Sequence, residues 1–186
     1  MTNTPAYLQD AQEILTKDGF ATSDVWYHGT SSALVDSILK QGLMRSGDKA
    51  IKQAAKNTMA TIGNNYTESL EPVFLTQSKE LAFYWAQQTV RERSVRFDGD
   101  EQPVVLSVSL PQAQLTKVKP DVGAASLLMV DVGERYMVHL VSIAETCGLD
   151  APSIDLMKAD RQEYLTKLGM AYIDQDIAAE CLKVLT

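Results

Sequence analysis

The chain is poor in the residues that build disulfide frameworks and metal centres. Its 186 residues include two cysteines and two histidines. Cys147 and Cys181 lie far apart and outside any paired motif. That argues against a disulfide framework or a zinc site and points to a reducing cytoplasm. No apolar run approaches the roughly 20 residues needed to span a bilayer. Met1 to Pro5 does not open a basic-then-apolar leader, so neither secretion nor membrane insertion is expected. Basic charge is also in short supply, 17 Lys and Arg against 24 Asp and Glu, for a net charge of −7. That balance works against broad attraction to nucleic acid or anionic lipid. It does not exclude a dinucleotide held by a few local donors. The one basic cluster, Arg91 to Arg96, is interrupted by Glu92 and followed by Asp98, Asp100 and Glu101, and reads as a solvated helix end.

The composition, with 45% hydrophobic and 22% charged residues, suits one globular domain over 1–186. Leu8, Ala11, Ile14 and Leu15 predict an N-terminal helix from Pro5 to Lys17, ended by Gly19, within a segment 1–22. A strand follows from Val25 to His28, then a helix from Ala33 to Gln41, capped by Ser31 or Ser32 and stopped by Gly42. Between Met44 and Pro72 the pattern weakens, with a helical patch from Ala50 to Thr61. Val73 to Thr76 reads as a strand, Lys79 to about Arg91 as a helix capped by Ser78, and Val104 to Leu110 as an alternating strand. Ala124 to Val132 suits either a strand or a buried helix. Arg135 to Thr146 and Ser153 to Leu168 read as helices, Ser153 capping the second and Gly169 stopping it. Met170 to Ile173 and Leu182 to Leu185 read as strands around the turn Asp176 to Glu180. Strands scattered among helices without regular βαβ alternation predict an α+β domain.

Two stretches carry chemistry. In the first, Tyr27-His28-Gly29-Thr30, a glycine opens a strand end to close approach by a ligand. The bland alternative for His28 is a strand-end histidine satisfied by a backbone hydrogen bond. His139, among apolar neighbours in Met137-Val138-His139-Leu140-Val141, reads as a satisfied core histidine, and no nearby residues offer metal-ligand spacing. The second stretch is Val73-Phe74-Leu75-Thr76 with the helix bearing Tyr84 and Trp85. Its aromatics are either core or the walls of a ring-binding slot.

Tyr27-His28-Gly29-Thr30 with Ile38-Leu39-Lys40-Gln41-Gly42-Leu43 resembles the first motif of the ADP-ribosyltransferase superfamily, an aromatic residue, His-Gly-Thr or His-Gly-Ser, then a helix ending Ile-Leu-x-x-Gly-Leu. The likeness implies a single domain with a split, mostly antiparallel sheet, flanking helices and a helical insertion over 124–168. It implies NAD as co-substrate, with His28 on a ribose hydroxyl, the Gly29 backbone on the nicotinamide carboxamide, and Thr30 near the adenine-side ribose. The second stretch resembles the family's second motif. Phe74 stands where a tyrosine usually stacks on nicotinamide, and Tyr84 or Trp85 forms the other wall.

Many members carry a glutamate at the start of a late strand, and here that place holds Met170 or Ala171. Small bacterial members use an aspartate in a loop after a middle strand, which points to Asp121 in Lys119-Pro120-Asp121-Val122. Glu134 and Glu101 are the other acids in reserve. The resemblance therefore implies transfer of ADP-ribose from NAD to a protein, nucleic acid or small molecule in a bacterial cytoplasm, without membrane or metal. Phe74 and the missing glutamate leave open a silent module that binds NAD, ADP-ribose or a protein partner. An RNA 2′-phosphotransferase-like enzyme would need several arginines around a phosphate pocket.

Overall fold

The computed structural model describes residues 4–49, 52, 53, 56, 70–123 and 131–186. The predicted N-terminal helix is instead broken. A 3-10 turn (Ala6–Leu8) precedes α1 (Ala11–Ile14), and a small hairpin follows, β1 (Leu15–Thr16) with β2 (Gly19–Phe20). The reason lies in Asp10. Its carboxylate accepts from the Ser78 hydroxyl and, at 2.6 Å, from Lys79 N, while Glu80 Oε2 accepts from Asp10 N and Ala11 N. Two helix starts cap each other across 70 residues, so the chain turns at Asp10 rather than continuing as one helix.

The first long strand, β3 (Trp26–Ser31), runs three residues beyond its predicted end at His28. Gly29 is not a break, because it stays extended and pairs with Val105. Ser31 then caps α2 (Ser32–Gln41) by accepting from Ala33 N. Gly42 ends that helix at φ +88°. The predicted helix at 50–61 lies mostly outside the described residues. The chain continues through β4 (Val73–Thr76), α3 (Lys79–Ser94, with Ser78 accepting from Leu81 N) and β5 (Pro103–Val108). After α4 (Gln112–Leu115) and β6 (Lys119–Pro120), residues 124–130 of the predicted apolar element lie outside the described residues.

Next come α5 (Asp131–Thr146) and α6 (Arg161–Leu168). The second starts eight residues later than predicted, because Asp160 and Glu163 form a reciprocal capping box that Ser153 does not. Gly169, at φ +68°, stops it, and β7 (Met170–Ile173) and β8 (Leu182–Val184) complete the sheet.

The result is an α+β architecture. A six-stranded antiparallel sheet, in the order β6-β7-β4-β3-β5-β8, is flanked by helices. One face meets α3, with Val105, Ala82, Phe83 and Leu8 packed together, and α5 and α6 add Tyr136, Leu140 and Leu168 around Leu81. The other face buries Trp26, Leu75, Leu106, Val108 and Ile173 with Leu43 and Ile177. Arg93 departs from the solvated reading of its cluster. It is 6% exposed and pairs with Glu101 and Asp48, while Glu101 also accepts from the Ser31 hydroxyl. No helix among the described residues is long and apolar enough to cross a membrane.

Candidate functional site

Six successive residues of β3 pair with β5, from Trp26↔Val108 to Ser31↔Pro103, but β3 meets β4 in a single rung, Tyr27↔Thr76. Beyond that rung the two strands part. Ser32 N donates to Gln102 O at 2.8 Å, which sets the phase of the β3–β5 ladder. Trp26, His28 and Thr30 exchange hydrogen bonds with β5, while Tyr27, Gly29 and Ser31 turn their N–H and C=O toward β4. The Gly29 donor and acceptor therefore stand side by side and face the opening. Gly29 is glycine for a second reason. A Cβ there would overlap the carbonyl oxygen of Ala82 and lie 2.6 Å from Ala86 N, so α3 crosses this strand at van der Waals contact.

His28 spans the gap. Its Nδ1 lies 2.9 Å from the Phe74 carbonyl oxygen, which can only accept. Nδ1 therefore carries the proton, and Nε2 remains as an acceptor. Burial pushes the imidazole pKa down, opposed in part by the Phe74 bond, which favours the neutral ring. The backbone satisfaction expected of an ordinary strand-end histidine and a ring nitrogen available to a ligand thus coexist in one residue.

The register also fixes what lies beside the gap. Phe74 pairs with Tyr172 and Tyr172 with Lys119; Thr76 pairs with Met170, whose carbonyl accepts from Asp121 N at 3.0 Å. Two parallel rows cross one face of the sheet, Phe74–Tyr172–Lys119 and Tyr27–Thr76–Met170–Asp121. A cavity of about 720 Å³ lies over them and is lined by His28, Gly29, Phe74, Trp85, Asp121 and Tyr172, among others. Phe74 is 48% exposed there, and Asp121 is 5% exposed. A second cavity of about 690 Å³ lies on the α2 side and takes in Thr30, Arg45, Lys49 and Lys52. The two meet at the opening between β3 and β4, sharing His28, Gly29, Pro72, Phe74 and Thr89.

The residues singled out from sequence fall unevenly around this cleft. His28, Gly29, Phe74, Trp85 and Asp121 line the first cavity, and Thr30, buried to 2% exposure, lines the second. Tyr84 does not reach the cleft. It is buried in the core, stacked on His139 at 5.1 Å and set edge-on to Trp85, because successive helix positions point about 100° apart and turn it toward α5. Trp85 alone forms the opposite wall, backed by Tyr136 at 5.4 Å.

His139 is half-buried against the core through Tyr84 and is not satisfied, since its Nε2 is buried with no hydrogen-bond partner among the described residues. Glu101 is engaged by Arg93 and Ser31, which hold its carboxyl below the usual range, and Glu134 is exposed on α5. Neither lines the cleft. Met170, where a late acid was sought, is core. Sequence reasoning missed Tyr172 and Arg45. Tyr172 becomes visible as a cleft residue only once β7 is registered against Phe74, and nothing in the weakly patterned stretch after Leu43 marks Arg45.

Chemically, the opening offers one backbone donor and acceptor for a planar amide, aromatic faces for a flat ring, an imidazole acceptor for a hydroxyl, and a nearby carboxyl group for a developing positive charge. No group of three or more potential metal ligands occurs among the described residues. Comparison with protein-family models, with curated proteins and with solved structures finds no match.

Proposed function

We propose that this chain is an NAD-dependent ADP-ribosyltransferase that releases nicotinamide and transfers ADP-ribose to an acceptor. The observation that carries the reading is the convergence of Gly29, His28, Phe74 and Asp121 on one cleft, at the point where β3 parts from β4. NAD is a substrate whose chemistry suits each of them. The nicotinamide carboxamide presents a donor and an acceptor to match the Gly29 backbone. Its ring finds aromatic faces at Phe74 and Trp85, and a ribose hydroxyl can donate to His28 Nε2.

As the bond between ribose C1′ and the nicotinamide nitrogen breaks, that nitrogen keeps the electron pair and the sugar gains positive charge. The Asp121 carboxylate stabilises this charge and takes the proton of the acceptor nucleophile as its bond to C1′ forms. Asp121 follows the short edge strand β6, beside Met170. An acid just past the neighbouring strand thus takes the part of the absent late glutamate. Phe74 keeps the aromatic face and lacks only a hydroxyl. In the described cleft Arg45 is the one arginine, which disfavours a phosphotransferase.

The test is nicotinamide release from NAD by the purified chain. His28→Ala and Asp121→Asn are both expected to lower the rate, the second by about a hundredfold or more, with far-UV circular dichroism unchanged. Normal release from Asp121→Asn removes that residue from the chemistry. No release with an NAD-dependent rise in Tm favours the silent binding module, for which Met170 in place of an acid is the supporting observation. No release and no rise in Tm overturns the NAD reading.

A further inference from the structure

The loop after α2 is pinned on three sides. Leu43 bridges Ile177 through two backbone hydrogen bonds of 2.9 Å. Arg45 N donates to Asp176 Oδ1 at 2.6 Å, and the Asp48 carboxylate meets the buried Arg93. The backbone of Arg45 is therefore fixed, its carbonyl also accepting from Glu71 N at 3.1 Å. The side chain is not served in the same way. Among the described residues its Nε is buried with no hydrogen-bond partner, and its one ion-pair partner, Asp174 Oδ1, stands 3.9 Å from Nη2. That distance is too long for a hydrogen bond. The Asp174 carboxylate leans the other way as well, with Oδ2 3.4 Å from Lys119 Nζ.

Arg45 lines the second cavity, beside Lys49 and Lys52. Of the three acids that line it, Asp48 is drawn to Arg93 and Glu92 to Arg96. Glu71 is the remaining acid. Asp174 lines the first cavity, so the loose Arg45–Asp174 pair joins the two halves of the cleft.

We infer that Arg45 is the anchor of a phosphate-binding subsite for the diphosphate of a nucleoside diphosphate sugar, and that Asp174 is an internal competitor for its guanidinium. A planar fork on a fixed backbone, with an unserved donor among the described residues, suits bidentate capture of phosphate oxygens. When a diphosphate enters, the guanidinium exchanges a carboxylate at 3.9 Å for direct charge-assisted hydrogen bonds, and Asp174 retains Lys119. The inference deepens the ADP-ribosyltransferase reading and supplies a residue that no motif marks.

The two ends of the pair make opposite predictions, which a merely structural ion pair would not. Binding of ADP-ribose is measured by titration calorimetry at low and high salt, with inorganic pyrophosphate as a second probe. Arg45→Ala should weaken ADP-ribose roughly ten- to a hundredfold, the loss expected for charge-assisted hydrogen bonds. Arg45→Lys, which keeps the charge and loses the fork, should fall between Arg45→Ala and the wild type. Asp174→Asn should tighten it by about threefold, an effect that shrinks at high salt.

Weakening by both Arg45→Ala and Asp174→Asn, no change in Arg45→Ala, or no binding of either probe by the wild-type chain each overturns the inference. Nicotinamide release is followed in the same preparations and separates the two claims. Arg45-dependent ADP-ribose binding without nicotinamide release sustains the subsite while removing the catalytic reading. Normal release with ADP-ribose binding indifferent to Arg45 does the reverse.

Discussion

The two edges of β3 are paired very unequally. Toward β5 it is paired over six residues, from Trp26 to Ser31. Toward β4 it has one rung at Tyr27. The closed edge is continuous hydrogen-bonded ladder and carries Leu106 and Val108 into the core. The open edge exposes the Gly29 amide and lets His28 reach across to Phe74. The cleft is thus the unpaired part of an otherwise regular sheet. Binding groups need little invention there, because backbone polar groups left without a strand partner are already donors and acceptors in search of one.

The largest effect should come from closing α3 off from β3. Gly29→Ala puts a methyl group against the Ala82 carbonyl and Ala86 N, both backbone and unable to rotate aside. The expected cost is about 3 kcal/mol or more, read as a fall in the urea midpoint. A change below about 0.5 kcal/mol would mean that α3 can slide away from the strand, and the contact would not be a constraint on residue 29.

Adjacent residues of β4 sharpen the same contrast. Leu75 is 3% exposed and Phe74 is 48% exposed. Leu75→Ala should cost about 2–5 kcal/mol, the usual range for a buried large-to-small change. Phe74→Ala should cost under about 1 kcal/mol in stability while raising KM for NAD about tenfold through the lost stacking face. Equal stability losses at the two positions would place the Phe74 ring in the core and remove it from the cleft.

Much of the fold was legible because local rules and tertiary context agree. Ser78 caps α3, Gly42 and Gly169 stop their helices, and Val73–Thr76 and Met170–Ile173 are strands as their composition suggests. The failures share a cause. Asp10 looks like one residue inside a helix until Ser78 and Lys79 arrive from 68 and 69 positions away, and Arg93 looks solvated until Glu101 and Asp48 surround it. For the cleft, the resemblance of two short local motifs pointed to His28, Gly29 and Phe74. It left Asp121 among several acids and gave no hint of Tyr172, because both depend on strand register. Register is a pairing between distant segments and has no local signature.

The smallest effect is the most specific to the open edge. Burial lowers the pKa of His28 in the folded chain below its ordinary value, and the same is true of His139. A group depressed on folding binds fewer protons in the native than in the unfolded state across the window between its two pKa values. Its stabilising contribution is therefore full above the ordinary imidazole value of about 6.5 and is lost as pH falls toward the folded value. Wild type and His28→Gln should be compared by urea denaturation at two pH values, one below and one above that point. Because His139 is common to both proteins, its contribution cancels. The stability of wild type relative to His28→Gln should then be greater at the higher pH. The rate of nicotinamide release should fall over the same interval only in the wild type, since a protonated Nε2 no longer accepts from a hydroxyl. A relative stability that does not change with pH would mean that water reaches the ring and that the gap between β3 and β4 is wider than the Phe74 hydrogen bond implies.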